Sequence, residues 1–499
     1  MTLSRVAPRI VSSLSILLAV AACGDDSTAD GSSSVGNDTT GVEASGDGDG
    51  DPTGDGDGDP TGDGDGDPTG DGDGDPSGDG DPSGDGDGDP SGDGDGDPTG
   101  DGDGDPTGDG DGDPTGDGDG DGDGDPCQGG NEGFDFSYLW VANTNEGSVS
   151  KVNTETLIEE ARYRTGPNGQ SHSPSRTTVS YDGRFALVGN RNSQSVTLVA
   201  ANEDDCIDKN NDGMITTSQN NNDLLDWDAD ECVLWRTILP DVGPGEPSGP
   251  RGMTFDPGDF NQQTCKFENP KIWVGWHGTQ ATQAHMARIN PTDGSVEEVV
   301  DIDNWTMGWS NYPPYGAALD GDRNVWFTAL RGEVFRLNSQ SLQLDRWAMP
   351  GNVQAYGMTV DPTGDAWFGG CSGPVTVFDA DTETFTSVPN TNACHRGVAA
   401  DNLGNIWVAS NGPCGLVQID RDTRTLIKFH TAADFNNQCS TPVGVSIDVE
   451  GFVWMVDQSG WAWKMDPETY AKEIVMIPGN HYTYSDMTGG GLNAVINPQ

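Results

Sequence analysis

From residue 138 onward the chain reads as short apolar runs, alternating or continuous, separated by clusters of Gly, Asp, Asn and Pro. That is the pattern of strands joined by tight turns. Four stretches repeat it most clearly. Tyr315-Gly316-Ala317-Ala318-Leu319-Asp320 leads to Asn324-Val325-Trp326-Phe327, and Tyr356-Gly357-Met358-Thr359-Val360-Asp361 leads to Asp365-Ala366-Trp367-Phe368. Arg396-Gly397-Val398-Ala399-Ala400-Asp401 leads to Asn405-Ile406-Trp407-Val408, and Val443-Gly444-Val445-Ser446-Ile447-Asp448 to Phe452-Val453-Trp454-Met455. The tryptophans recur at intervals of 41, 40 and 47 residues. A period of roughly 40 to 45 with four short strands per unit predicts an all-β propeller. Two earlier units carry insertions: Arg251-Gly252-Met253-Thr254-Phe255-Asp256 before Ile272-Trp273-Val274, and Arg176-Thr177-Thr178-Val179 before Phe185-Ala186-Leu187-Val188. The first unit opens at Tyr138-Leu139-Trp140-Val141 and lacks an inner strand, which Ser485-Asp486-Met487-Thr488-Gly489 is expected to supply from the C-terminus. Seven blades result, with six or eight as the alternative counts. Trp326, Trp367, Trp407 and Trp454 are read as blade-packing residues.

At these motifs, over most of residues 138 to 490, the chain resembles the virginiamycin B lyase (streptogramin lyase) family of propellers. The resemblance implies the fold. The family's activity also needs a histidine immediately before the repeat glycine and a glutamate four residues after the tryptophan, working with magnesium. Here the residues before the glycines are Arg251, Tyr315, Tyr356, Arg396 and Val443, and those four after the tryptophans are His277, Leu330, Cys371, Asn411 and Gln458. No blade offers the pair, and His395 sits one residue early. The expectation is a binding module without lyase activity; the alternative is a carbon-oxygen lyase or hydrolase with a non-standard site.

The first 126 residues follow another pattern. Arg5 and Arg9 precede an apolar run over residues 10 to 20 and then Val20-Ala21-Ala22-Cys23, an export leader ending in a lipobox. Cleavage before Cys23 and acylation of that residue are expected, which makes the mature chain a membrane-anchored lipoprotein of the cell envelope, with the outer membrane of a Gram-negative bacterium favoured. Residues 23 to 126 are read as a disordered linker. From about residue 46 the unit Gly-Asp-Gly-Asp-Gly-Asp-Pro-(Thr/Ser) repeats without an apolar residue to build a core. A calcium-binding β-roll, the alternative, lacks the large apolar residue each repeat needs. About 100 such residues span on the order of 55 Å. The stretch from 24 to 126 contributes 36 of the 59 net negative charges, and the leader adds two arginines, so residues 127 to 499 carry about 25. That balance argues against a nucleic-acid partner.

With Cys23 acylated, eight cysteines remain in an oxidising compartment. In a propeller the turns between strands 2 and 3 and the connections between blades share one face; the 1-2 and 3-4 turns share the other. Face geometry is consistent with pairing Cys206 with Cys232, Cys371 with Cys394 and Cys414 with Cys439; Cys127 and Cys265 remain, both on the opposite face, and the connectivity stays open among the 105 pairings that eight cysteines allow. The insertion at about 203 to 232 contains Asp208-Lys209-Asn210-Asn211-Asp212-Gly213-Met214. Oxygen donors at Asp208, Asn210 and Asp212, glycine next and the Met214 carbonyl match half of an EF-hand-type loop, so a structural Ca2+ is expected there. Gln219 stands where the bidentate glutamate belongs, so Asp223, Asp226, Asp228, Asp230 or Glu231 must complete the shell. That loop and the tether fall on one face. The other face is expected to gather Arg176, Arg251, Tyr315, Tyr356, His395 and Arg396 at the channel mouth, with Trp276, His277, Trp305, Trp309, Trp461, His481 and Tyr482 on surrounding loops. Arginines among aromatics suit an anionic small molecule, a glycan or a protein ligand; the alternative is a mouth closed by these side chains stacking on one another.

Overall fold

The computed structural model describes residues 137–305, 312–484 and 486–496. The leader, Cys23, the tether, Cys127, Trp309 and Ser485 lie outside the described residues. What is described is a seven-bladed propeller whose named strands pair antiparallel, with an isolated parallel bridge between Arg176 and Tyr484. Blade 1 holds three strands, Tyr138–Asn143, Ser148–Asn153 and Glu159–Arg164. Blades 2 to 7 hold four strands each, beginning at the inner strands Pro174–Val179, Met253–Asp256, Gly316–Leu319, Gly357–Val360, Ala393–Ala400 and Pro442–Ile447. The expected closure is made. Residues 480–484 and 486–488 run along the open side of blade 1, where Thr144 N donates to Asn480 O at 3.0 Å and Trp140 N to Met487 O at 2.9 Å. Not foreseen is the short helix Gly490–Ile496 that follows. Its Leu492 packs with the core of blades 2 to 4, across the channel from where the chain leaves blade 7.

Each regular blade is organised by one buried contact. In blade 6 the carboxylate of Asp401, 1% exposed, ends the inner strand. One oxygen accepts Leu403 N (2.9 Å) and Asn405 N (2.8 Å), fixing the Asp-x-x-Gly turn, and the other accepts Trp407 Nε1 at 2.7 Å. Asp320 with Trp326, Asp361 with Trp367 and Asp448 with Trp454 repeat the geometry at 2.7 to 2.8 Å. The indole, held at its polar edge, turns its apolar body toward the next blade: Trp367 packs with Val398, Ile406 and Val408, and Trp454 with Leu139 and Val141 of blade 1. The repeat tryptophans are thus blade-packing residues, all fully buried.

Blades 1 to 3 depart from the rule. Blade 2 has Leu187 at the tryptophan position, opposite Thr178, and correspondingly Ser180 at the aspartate position, whose hydroxyl accepts Phe185 N at 3.0 Å. In blade 3 the hairpin Asp259–Asn261 and Lys266–Glu268 separates Asp256 from Trp273, so Asp256 instead takes Arg323 of blade 4 at 2.6 Å. Disulfides join Cys206 to Cys232, Cys371 to Cys394 and Cys414 to Cys439, the pairs with which face geometry was consistent. The second links blades 5 and 6, where the short strand Cys371–Gly373 pairs with the inner strand of blade 6. Cys265 is disulfide-bonded to a residue outside the described ones.

Removing the Asp401 carboxylate leaves the Trp407 indole N–H and two turn amides without their acceptor. Asp401→Ala is expected to destabilise the domain by about 2 to 4 kcal/mol, and Asp422→Ala, at an exposed side chain, by less than about 0.5 kcal/mol. Urea unfolding of the two variants side by side checks this; equal midpoints would refute the assigned role.

Candidate functional site

The inner strands converge at the channel axis, and the repeat glycine marks where they touch. A Cβ on Gly357 would lie 2.0 Å from the Arg396 carbonyl oxygen, and one on Gly397 would lie 2.7 Å from Val445 N. Counting four residues back from the turn residue gives glycine in blades 3 to 7 and Arg176 in blade 2. The crowding that excludes side chains elsewhere leaves this one arginine to occupy the axis. It crosses from blade 2 to stand 4.9 Å over the Tyr315 ring of blade 4 and 4.0 Å over the Tyr484 ring of the closing segment.

Around it the mouth is a box of tyrosines and arginines. Arg251 lies 5.1 Å from the same Tyr315 ring and 5.5 Å from Tyr312. Arg396 lies 4.1 Å from Tyr356, and Arg191 lies 4.9 Å from Tyr482. The rings contact one another edge-on or tilted: Tyr315 with Tyr356 at 4.9 Å, Tyr356 with Tyr484 at 5.4 Å, and Tyr482 with Tyr484 at 4.8 Å. Of the residues expected at the mouth, the structure brings together Arg176, Arg251, Tyr315, Tyr356, Arg396 and Tyr482. Tyr484, Tyr312 and Arg191 join them without having been anticipated. Tyr484 was legible only as the residue just before the closing strand, and Arg191 carried no signal.

The remaining expected residues make their contacts elsewhere. Trp276 and His277 are not on a loop; they end the strand Lys271–His277, where Trp276 packs on His285 at 5.2 Å and His277 Nδ1 meets Gly278 O at 2.7 Å. His395 is fully buried with Nε2 2.6 Å from Thr391 O, and His481 meets Ile477 O in the same way at 2.7 Å. Burial pushes both imidazoles down to about 4, so they are neutral at physiological pH and positioned by their own turns. Trp305 is buried and stacks on Phe335 at 5.3 Å, and Trp461 lies in the strand Trp461–Met465.

Arg176 has a particular electrostatic situation. It is 1% exposed, and among the described residues none of its three nitrogens has a hydrogen-bond partner and no carboxylate pairs with it. Burial draws its proton affinity down, the Tyr315 and Tyr484 rings offset this, and neighbouring Arg251 lowers it further. Ring faces stabilise a guanidinium from above and below, by about 0.5 to 2 kcal/mol each. Its N–H groups lie in the guanidinium plane and are not served by those rings. A buried fork of donors without acceptors is costly, and an oxyanion is the group that matches it. Further in, the channel narrows to about 50 Å³, lined by Thr178, Met253, Met358, Val445, Asp486 and Leu492. That volume admits water and little else, and at the mouth Arg176, Arg251, Tyr315 and Tyr484 are at most 1% exposed and packed on one another, the closed arrangement that was the alternative expectation.

The blade 2 insertion has the local form expected of its sequence. Asp208 accepts Asn211 N at 2.6 Å and Gly213 N at 2.9 Å, Asn210 accepts Asp212 N, and Asp212 accepts Met214 N. Gly213 is left-handed, with φ of 84°. Glu231 closes the loop: it accepts the N–H groups of Lys209, Asn210 and Thr216, so both its oxygens are engaged by backbone. Two carboxylates, one amide oxygen and the Met214 carbonyl are the donors in this turn, and they fit a weak calcium site.

No family model and no curated protein matches the chain. Solved structures do. Apo AztD from Citrobacter koseri is 10% identical over 70% of this chain and 97% of its own, with a TM-score of 0.42. A catalytically inactive virginiamycin B lyase from Staphylococcus aureus, with quinupristin, is 14% identical over 62% and 86%, at 0.43. A Lactobacillus plantarum protein is 14% identical over 70% and 98%, at 0.47. The fold assignment rests on the strand pairing itself.

Proposed function

We propose that this chain is an exported, lipid-anchored propeller that captures a small anionic ligand, a carboxylate- or phosphate-bearing metabolite or saccharide, at the Arg176 box. The observation that carries this reading is a buried guanidinium packed against two tyrosine rings and without an acceptor among the described residues. The insertion and Ser137, where the chain enters blade 1, lie on the opposite face, and in this reading the box is presented away from the membrane. Capture without turnover is favoured over lyase-like chemistry, because the histidine and glutamate of the lyase-type repeat have no counterpart and His395 is held neutral by burial, with its Nε2 turned to the Thr391 carbonyl. Calcium, in this reading, is structural and rigidifies the insertion on the membrane side.

Calorimetric titration of the full-length protein with glucuronate, glucose 6-phosphate and glucose tests the binding. At least one anion is expected to bind and glucose not to; Arg176→Gln should weaken binding at least tenfold. The same variant should be as stable as the wild type or more so without ligand, since it removes an uncompensated buried charge. Silence with both anions, or unchanged affinity in Arg176→Gln, would sink the reading.

Two further outcomes follow from the anchor and the loop. Cys23→Ala should move the protein from the detergent-rich to the aqueous phase in detergent partition; retention in the detergent phase would exclude lipidation at Cys23. A site in the millimolar class adds about 1.4 kcal/mol at ten times its Kd. Ten millimolar Ca2+ should therefore raise the melting temperature by a degree or two in the wild type and not in Asp212→Ala, and an equal rise in both would remove calcium from this loop.

A further inference from the structure

We infer that the C-terminal segment is a clasp whose closure is thermodynamically linked to occupancy of the Arg176 box, an inference that rests on the binding reading above. The same few residues complete two structures at once. On one side residues 480–484 and 486–488 serve as the inner strand of blade 1, and this seam is sparse. Toward blade 1 it has one isolated bridge, Asn143 to His481, the two amide bonds from Thr144 and Trp140, and a bond from Tyr482 N to Thr144 Oγ1, whereas the strands Tyr138–Asn143 and Ser148–Asn153 pair over six positions; the segment is also tied to blade 2 by the bridge Arg176 to Tyr484 and to blade 7 by Met487 N on Ser446 Oγ. On the other side the segment supplies Tyr482 and Tyr484 to the box. Tyr484 lies under the Arg176 guanidinium, and its hydroxyl accepts Arg396 Nη1 at 3.4 Å. Tyr482 lies under Arg191, its hydroxyl 3.3 Å from that of Tyr315.

The sign of the linkage follows from the geometry of the guanidinium. The guanidinium carbon lies 4.9 Å from the Tyr315 ring and 4.0 Å from the Tyr484 ring, and among the described residues none of its nitrogens has a partner. An oxyanion attaches at the edge and leaves both rings in place. The ligand therefore binds the closed arrangement, in which Tyr484 walls the box, and not an open one in which the segment has left blade 1. A ligand selective for one state stabilises it by the factor 1 + [L]/Kd, and loosening that state lowers affinity in return. Seven blades held by this seam make the clasp the place where such a linkage is felt.

Hydrogen exchange on the full-length protein reads the clasp directly, because the amides of Trp140 and Thr144 are the ones it covers. With glucuronate or glucose 6-phosphate at a hundred times its Kd, exchange at these two amides should slow by up to about a hundredfold. The Leu403 and Asn405 amides, at a turn on the other face, serve as the control. Tyr484→Ala should speed exchange at Trp140 and Thr144 and weaken anion binding at least tenfold, while Tyr484→Phe, which keeps the ring, should do neither to that degree. Anion binding with unchanged exchange at Trp140 and Thr144, or wild-type affinity in Tyr484→Ala, overturns the clasp and leaves the binding reading standing. Absence of anion binding in the wild type overturns both. If Tyr484→Ala does not fold, the wild-type exchange comparison and Tyr484→Phe decide the matter.

Discussion

The hydrogen bond from a repeat tryptophan to the aspartate six residues before it is the constraint on which the propeller depends. It joins three tasks that a blade must perform together: ending the inner strand, shaping the first turn, and orienting a large apolar side chain toward the next blade. The carboxylate does this while buried, which is tolerable because its oxygens are supplied with N–H donors from the turn and the indole. Stability then propagates around the ring as a series of equivalent interfaces, Trp326 against blade 5, Trp367 against blade 6, Trp407 against blade 7 and Trp454 against blade 1. Where the device is missing, other contacts replace it. Blade 2 exchanges both members of the pair, for Leu187 and Ser180, and blade 3 releases its aspartate to an arginine of the neighbouring blade.

This explains which parts of the structure were legible in the sequence. Blade number, strand order, the closing strand and three disulfide pairs follow from a local rule repeated at a regular period. Each needs only the positions of Asp, Gly and Trp and the side on which a turn falls. The site was legible in outline, because residues preceding the repeat glycines face the mouth whatever their identity. Its composition was not. Trp276 and His277 looked like loop residues because the sequence does not reveal how far a strand continues past its tryptophan. Tyr484 reaches the box through long-range closure, which no local pattern encodes, and Arg191 reaches it from the turn after the strand Phe185–Asn190 of blade 2. The helix Gly490–Ile496 is short and glycine-led, with an apolar stripe too brief to show helical periodicity.

One signal was present and is recognisable in retrospect. Five blades place glycine where inner strands crowd the axis, and blade 2 places Arg176 there. The glycines let neighbouring inner strands touch, whereas blade 2 carries at this position a large cationic side chain whose ring partners come from blade 4 and from the closing segment. The departure from the repeat, rather than the repeat, marks the site.

An anion site on so acidic a chain raises a question of scale. The folded domain carries about 25 net negative charges, and its long-range field repels anions. At physiological ionic strength that field is screened over roughly 8 Å, so distant surface carboxylates count little once a ligand reaches the mouth. A buried guanidinium is screened far less and acts by contact, its donors undiluted by water. Placing the positive charge at the axis, out of reach of every surface carboxylate, prevents the acidic residues from neutralising it internally. Elsewhere in the domain arginines such as Arg323, Arg346 and Arg424 are claimed by aspartates and glutamates. Arg176 escapes that fate because the glycines around it offer no side chain of either sign, and the tyrosines that do approach stabilise its charge without cancelling it.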